Sequence, residues 1–199
     1  MTDRLPPTPE GLAVAAVLLR EGGVVAFPTD TVYGVGIAAT HPERIEALFE
    51  LKRRPADRRI PILVADLGQS VAAGWSADER THRLSARFWP GALTLVLPGP
   101  GGTQAFRSPD HPVALGLIGL AGPIFATSAN RSGEPETLGA DDVLIAFATQ
   151  QDDLVAVVDG GAVPGGVAST VLDLSVSPAR ILREGPVTEA QLLELIDIA

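Results

Sequence analysis

The sequence predicts an α/β or α+β fold built on one twisted, mixed sheet. Three observations carry this. Short apolar runs alternate with amphipathic stretches along the whole chain, with no internal repeat and no low-complexity tract. Hydrophobic residues make up 46% of the 199 residues, enough for a full core. Between residues 154 and 183 the apolar runs have hairpin-like spacing, so the sheet should not be wholly parallel. The length predicts one domain over residues 9–199, preceded by a loose arm over residues 1–8.

The elements follow in order. Thr8 is placed as an N-cap, with Pro9 at the first helical position and Gly22 as the stop. Leu12, Ala15, Ala16 and Leu19 form the apolar stripe of that helix. Residues 23–28 read as a buried strand ending at Pro28, which cannot donate to a sheet ladder. Thr29, Asp30, Thr31 and Tyr33 then crowd one loop, where Gly34 and Gly36 let the backbone bend. Thr40 and Glu43 form a capping box opening a helix that runs to about Arg53. On it, Ile45, Leu48, Phe49 and Lys52 share one side, so Lys52 projects from the end of a buried face.

Residues 60–65 read as a strand and 77–88 as a helix stopped by Trp89-Pro90-Gly91. A strand over 92–97 leads into a turn over 98–102. Asp110 is placed to cap a helix with Pro112 in its first turn, broken by Gly122-Pro123. A short strand over 124–127 runs into Ser128-Ala129-Asn130 and a polar loop, followed by a helix over 140–149. A strand over 154–158 precedes the glycine-rich loop from Gly160 to Gly166, which leads to Ser169-Thr170 and a strand over 171–174. A strand over 179–183 and a helix capped by Thr188 and Gln191 end the chain.

Charge and composition exclude several function classes. A formal charge of -9 argues against a broad nucleic-acid surface but leaves room for a small basic pocket. The absence of cysteine excludes a disulfide framework and a thiolate zinc site, and fits a cytoplasmic location. Met1 to Glu10 carries three prolines and no apolar h-region, so no signal peptide is expected. No apolar run is long and unbroken enough to span a bilayer. His41, His82 and His111 are scattered, and the carboxylates show no paired spacing, so neither a catalytic histidine nor a dedicated metal site is expected. Trp75 and Trp89 read as core or hinge residues.

Three stretches point to chemistry. Five of the fifteen cations fall within Lys52-Arg53-Arg54-Pro55-Ala56-Asp57-Arg58-Arg59, and Lys52 is the only lysine. Arginine offers planar paired donors and lysine a compact charge, both suited to phosphate or carboxylate. The plainer reading is a solvated helix end favoured by the dipole. Thr127-Ser128-Ala129-Asn130 sets small polar groups at a strand end, which suits a ligand mouth or an ordinary turn. Gly165 to Thr170 delivers hydroxyls on a flexible loop but lacks the Gly-Lys-Ser/Thr ending of a P-loop. Arg107 and Arg183 are uninformative in isolation.

Taken in order, the motifs resemble the YrdC family, whose members are threonylcarbamoyl-adenylate synthases. The motifs are Phe27-Pro28-Thr29-Asp30-Thr31-Val32-Tyr33-Gly34, Lys52-x-Arg54-Pro55, Trp89-Pro90-Gly91, Thr103-x-x-x-Arg107, Thr127-Ser128-Ala129-Asn130-x-Ser132-Gly133, Ser169-Thr170-Val171 and Arg183-x-Gly185. Each is weak alone, but their common order over residues 9–186 is specific. The length resembles that of the short, single-domain members. The resemblance implies an open, twisted mixed sheet with surrounding helices and a central concave cavity. It implies synthesis of L-threonylcarbamoyladenylate and pyrophosphate from L-threonine, bicarbonate and ATP, with Mg²⁺ carried on the ATP phosphates. That product serves the threonylcarbamoyl modification of tRNA at position 37.

By the same resemblance, Lys52 and Arg54 are the catalytic cations on the triphosphate. Arg58, Thr103, Ser128, Asn130 and Arg183 join them at ATP, while Thr31, Arg107 and Ser169 hold threonine. The implied partners are the substrates, with transient contact to the transferase complex that completes the modification. Direct tRNA binding is expected to be weak or absent. Three positions depart from the longer members: Leu63 replaces a histidine of the threonine pocket, Arg58 aligns with an asparagine, and Ser108 replaces a bulkier apolar residue. Two alternatives remain at this stage. One is a non-enzymatic RNA-binding module, which the charge of -9 disfavours. The other is a related carbamoyl-adenylate activity as in hydrogenase-maturation proteins, whose zinc-finger segments need cysteine.

Overall fold

The computed structural model describes residues 2–53, 60–149 and 154–199. Ten strands of the described residues form one mixed sheet: β1 (Asp3–Leu5), β2 (Val24–Pro28), β3 (Tyr33–Ala38), β4 (Ile62–Leu63), β5 (Leu93–Gly99), β6 (Gly102–Arg107), β7 (Ile124–Ser128), β8 (Leu154–Val158), β9 (Thr170–Asp173) and β10 (Arg180–Arg183). The order across the sheet is β1-β8-β2-β3-β7-β4-β6-β5-β9-β10. Parallel pairs join β8 to β1 and β2, β4 to β6 and β5 to β9; the remaining neighbours are antiparallel. The helices are α1 (Pro9–Arg20), α2 (Ile45–Lys52), α3 (Leu67–Ala72), α4 (Glu79–Phe88), α5 (Pro112–Ala121), α6 (Ala140–Ala146) and α7 (Glu189–Leu193).

Strand alternation sorts the core into three parts. In β2, Val25 and Phe27 face α1 and α5, packing with Ala15, Leu19, Leu117 and Ile118. Val24 and Ala26 face the other way, toward α2 and α6, with Leu48, Leu51, Val143 and Phe147. At the far end of the sheet, Leu93, Leu95 and Phe106 pack with Leu84 of α4 and Leu192 of α7. Side chains such as Phe27 and Leu19 are fully buried, each contributing about 2–3 kcal/mol by removal from water. The opposite face of β4, β5, β6 and β9 is where a concave surface remains.

Several expected elements are corrected. The loose arm contains a strand: residues 3–5 pair parallel with β8, and Arg4 bonds Asp159 and Asp141 at 2.7 Å each. Three residues flanked by proline carry too little pattern to read; the tertiary partner makes the strand. Gly34 and Gly36 lie inside β3 rather than in a bend. At Gly36 closeness requires glycine, since a Cβ would stand 2.6 Å from the Phe125 carbonyl oxygen. The expected capping box at Thr40 and Glu43 is absent: a 3-10 turn over Pro42–Arg44 precedes α2, and Glu43 meets His41 instead. The Glu43 carboxylate, hydrogen-bonded to the His41 ring, stabilises its protonated form and raises its pKa above the ordinary value. His111, not Asp110, caps α5, its Nδ1 accepting from the Val113 amide at 3.2 Å.

Candidate active site

A cleft of about 460 Å³ opens on the concave face. Its floor is cut by small side chains: Gly34 of β3, Ala126 of β7 and Ala105 of β6 leave room where larger residues would fill the space. Leu63 adds an apolar wall, paired in register with Arg107. Polar groups converge on this floor from strand ends and loops. Of the residues expected at the site, Thr31, Lys52, Arg107, Ser128, Asn130, Ser169 and Arg183 all line the cleft. Thr103 shares the face of Ala105 and Arg107 on β6 but lies beyond the lining. Arg54 and Arg58 lie outside the described residues.

Lys52 ends α2 with 3% exposure, its ammonium donating to the Asn130 carbonyl at 2.6 Å and to the Ser128 carbonyl. Lysine is tolerated at this depth because carbonyl dipoles replace its water and the α2 C-terminus favours a cation. The Ser128-Asn130 segment is both a turn and a site wall. Ser128 Oγ donates to Asn130 Oδ1 at 2.7 Å, and Asn130 Nδ2 donates to the Glu134 carbonyl at 2.7 Å. Lys52 and this loop therefore form one hydrogen-bonded unit rather than a lysine reaching free into solvent.

Arg107 ends β6 and is 8% exposed. Its Nε donates to the Gly91 carbonyl at 3.0 Å, and one terminal nitrogen donates to both Asp30 oxygens at 2.6 and 2.7 Å. The other terminal nitrogen reaches Thr31 Oγ1 at 3.4 Å. Trp89-Pro90-Gly91 thus does more than end α4: the Gly91 carbonyl anchors the arginine, and its amide donates to the Ser108 carbonyl at 2.8 Å. Buried Ser108 donates to the Ala65 carbonyl at 2.8 Å, a polar bond that a bulkier apolar side chain could not make.

Ser169 and Arg183 close the opposite side. Ser169 Oγ lies 2.8 Å from Thr94 Oγ1, and Arg183 donates to the Ser169 carbonyl at 3.0 and 2.9 Å. Desolvation in the cleft, then repulsion from Arg107, lowers the Arg183 pKa, while Glu136 opposes the shift. Two guanidiniums that repel across a cleft are a natural site for an anion. Gly185 permits this corner: a Cβ there would stand 2.3 Å from the Ala168 carbonyl oxygen and 2.4 Å from the Thr170 amide nitrogen.

Sequence reasoning missed Asp30, Gly91, Thr94 and Glu136 as contributors. Thr94 had a readable signal, one hydroxyl among the leucines of β5. Asp30 stood inside a motif already singled out, without a stated role. Tyr33 proves to be a brace: its hydroxyl donates to the Gly161 carbonyl at 2.8 Å and accepts from the Gly160 amide. Burial raises its pKa, keeping it a neutral donor.

Comparison with known proteins agrees with this geometry. The Sua5/YciO/YrdC family model, described as telomere recombination, matches residues 17–185. A Bacillus subtilis protein named threonylcarbamoyl-AMP synthase is 42% identical over 98% of this chain and 59% of its own length. A Pyrococcus abyssi protein of the same name is 41% identical, covering 87% of this chain and 54% of its own. The chain therefore spans little more than half the length of these two relatives. A Mycobacterium leprae relative, named putative threonylcarbamoyl-AMP synthase, is 35% identical over 94% of this chain and 89% of its own. The solved structure of Pyrococcus abyssi Sua5 complexed with L-threonine superposes with a TM-score of 0.89 at 37% identity, covering all of this chain and 62% of that one. Escherichia coli YciO shares the fold, with a TM-score of 0.80 at 22% identity over 94% of this chain and 96% of that one. With a family model spanning most of its length and the same open sheet, this chain belongs to the Sua5/YciO/YrdC family.

Proposed function

We propose that the protein is a threonylcarbamoyl-AMP synthase, acting as one catalytic domain in the cytoplasm. The observation that carries this reading is the convergence of Arg107, Thr31 and Ser169 with Lys52, Ser128, Asn130 and Arg183 on one cleft. The names of its relatives, one of them seen with L-threonine, supply the substrate class.

In this reading Arg107 pairs the threonine carboxylate, with Thr31 and Ser169 beside it. The amine combines with bicarbonate to give a carbamate and water. A carbamate oxygen attacks the α-phosphate of ATP, the bond to the bridging oxygen breaks, and pyrophosphate leaves with that electron pair. Charge grows on phosphate oxygens during this displacement, so fixed cations and orientation matter more than a strong base. Lys52 and Arg183 meet that need within the described cleft, with Ser128 and Asn130 as polar contacts to ATP. Arg54, Arg58 and Thr103 are assigned to ATP by the family resemblance. Magnesium neutralises phosphate charge when bound with ATP. Glu136 is the acidic side chain on the described lining, a donor set that suits a cation held mainly by phosphate oxygens. The adenylate then passes to a transferase complex through transient contact, with little or no direct tRNA binding.

The test is direct. Purified protein is incubated with ATP, Mg²⁺, bicarbonate and L-threonine, and threonylcarbamoyladenylate and pyrophosphate are measured by mass spectrometry and coupled assay. Product should vanish when threonine or bicarbonate is omitted. No product, where a proven synthase succeeds in parallel, refutes the reading.

Gly185→Ala tests the Ser169 corner. The added methyl must displace backbone on both sides of Ser169. Overpacking of this kind costs about 1–3 kcal/mol, a fall in Tm of roughly 2–12 °C. The threonine KM should rise with it. An unchanged melt together with an unchanged threonine KM would show that the corner relaxes freely.

A further inference from the structure

We propose that Asp30 is a positioning residue that sets which edge of the Arg107 guanidinium is offered to the amino-acid substrate. This rests on the assignment of Arg107 to the substrate carboxylate. Both carboxylate oxygens of Asp30 accept from one terminal nitrogen, at 2.6 and 2.7 Å. The Gly91 carbonyl takes the Nε hydrogen at 3.0 Å. Among the described residues, only the long 3.4 Å contact to Thr31 engages the remaining nitrogen. That nitrogen is therefore the least committed of the three.

The placement of the partners gives this division its direction. Arg107 and Thr31 line the cleft, whereas Asp30, between two lining threonines, does not. Its carboxylate grips the guanidinium from outside the lining, with side-chain exposures of 10% for Arg107 and 15% for Asp30. A long arginine side chain carries about 2 kcal/mol of rotamer entropy. Fixing it beforehand lets the incoming carboxylate meet an oriented donor instead of ordering one. Asp30 also offsets the charge of Arg107, so the site recognises a carboxylate by aimed hydrogen bonds more than by bulk positive potential. Truncating Asp30 should therefore harm both affinity for threonine and discrimination between the free carboxylate and its amide.

Asp30→Ala, Asp30→Asn and Arg107→Ala are compared with the parent by KM for threonine, KM for ATP and the turnover ratio of L-threonine to L-threoninamide. Asp30→Ala should raise the threonine KM about tenfold or more, the effect of losing about 1.4 kcal/mol of binding. The ATP KM should stay within about twofold, and the acid-to-amide ratio should fall. Asp30→Asn keeps one acceptor oxygen and the shape, so it should recover part of the loss and serves if the alanine variant fails to fold. A threonine KM unchanged by both Asp30 variants, while Arg107→Ala raises it, overturns the role of Asp30 alone. If Arg107→Ala also leaves it unchanged, the assignment of Arg107 falls and the proposal with it. Equal rises in both KM values with an unchanged acid-to-amide ratio would reduce Asp30 to a scaffold residue and likewise overturn the proposal.

Discussion

Arg107→Ala should raise the threonine KM by roughly a hundredfold, since hydrogen bonds to a charged partner contribute about 1.5–3 kcal/mol. On the proposed assignment the substrate carboxylate loses its cation, and Asp30 loses the partner that holds both of its oxygens. An uncompensated carboxylate at 15% exposure would further repel the substrate carboxylate. The ATP KM should change far less, because Lys52, Ser128 and Asn130 lie on a separate unit at the end of β7 and α2. Initial-rate kinetics with each substrate varied in turn decides the matter. A rise confined to the ATP KM would mean that Arg107 serves phosphate.

Lys52→Ala should abolish measurable adenylate formation and also lower stability. The family resemblance gives this lysine a role at phosphate. Its ammonium also satisfies the carbonyls of Ser128 and Asn130, and its carbonyl accepts from the Ser132 amide. Removing the ammonium leaves buried acceptors unpaired, at about 1–3 kcal/mol, or roughly 2–12 °C in Tm. Lys52→Arg should restore little, because a planar fork cannot reproduce a compact donor set in the same space. Thermal melts and single-turnover assays of both variants give the readout. Near-normal turnover in Lys52→Ala would remove the lysine from the chemistry.

What was legible in the sequence, and what was not, follows a physical line. The helix of Thr8 and Pro9 and the helix of Thr188 and Gln191 were readable because their caps are local, and both caps form as expected. β2 and β8 were readable because each is a short apolar run with sharp boundaries, Gly23 and Pro28 for β2 and Asp153 and Asp159-Gly160 for β8. β1 was not, because its partner β8 comes far later in the chain; β3 was not, because glycine set by close backbone approach interrupts its apolar run. β6 pairs with the neighbouring β5, but Gly102-Thr103-Gln104-Ala105-Phe106-Arg107 carries too few apolar residues to read as a strand. The motif order carried the family, and seven of the expected side chains do meet on one cleft. The grip of Asp30 on Arg107 joins residues 77 positions apart, and no local pattern encodes such a meeting.

The place of β8 in the sheet has a consequence for how the chain is made. This strand lies between β1 and β2, so Asp3 finds its neighbour only at Ala156, and Val25 shares that same residue. A nascent chain carries two of the first strands it exposes without the one that joins them. At roughly 5–20 residues per second, the wait for that middle strand is about six to thirty seconds. Until Val158 clears the ribosome, α1 has only part of its floor, and the early half of the protein is a set of exposed edges that the late half must complete.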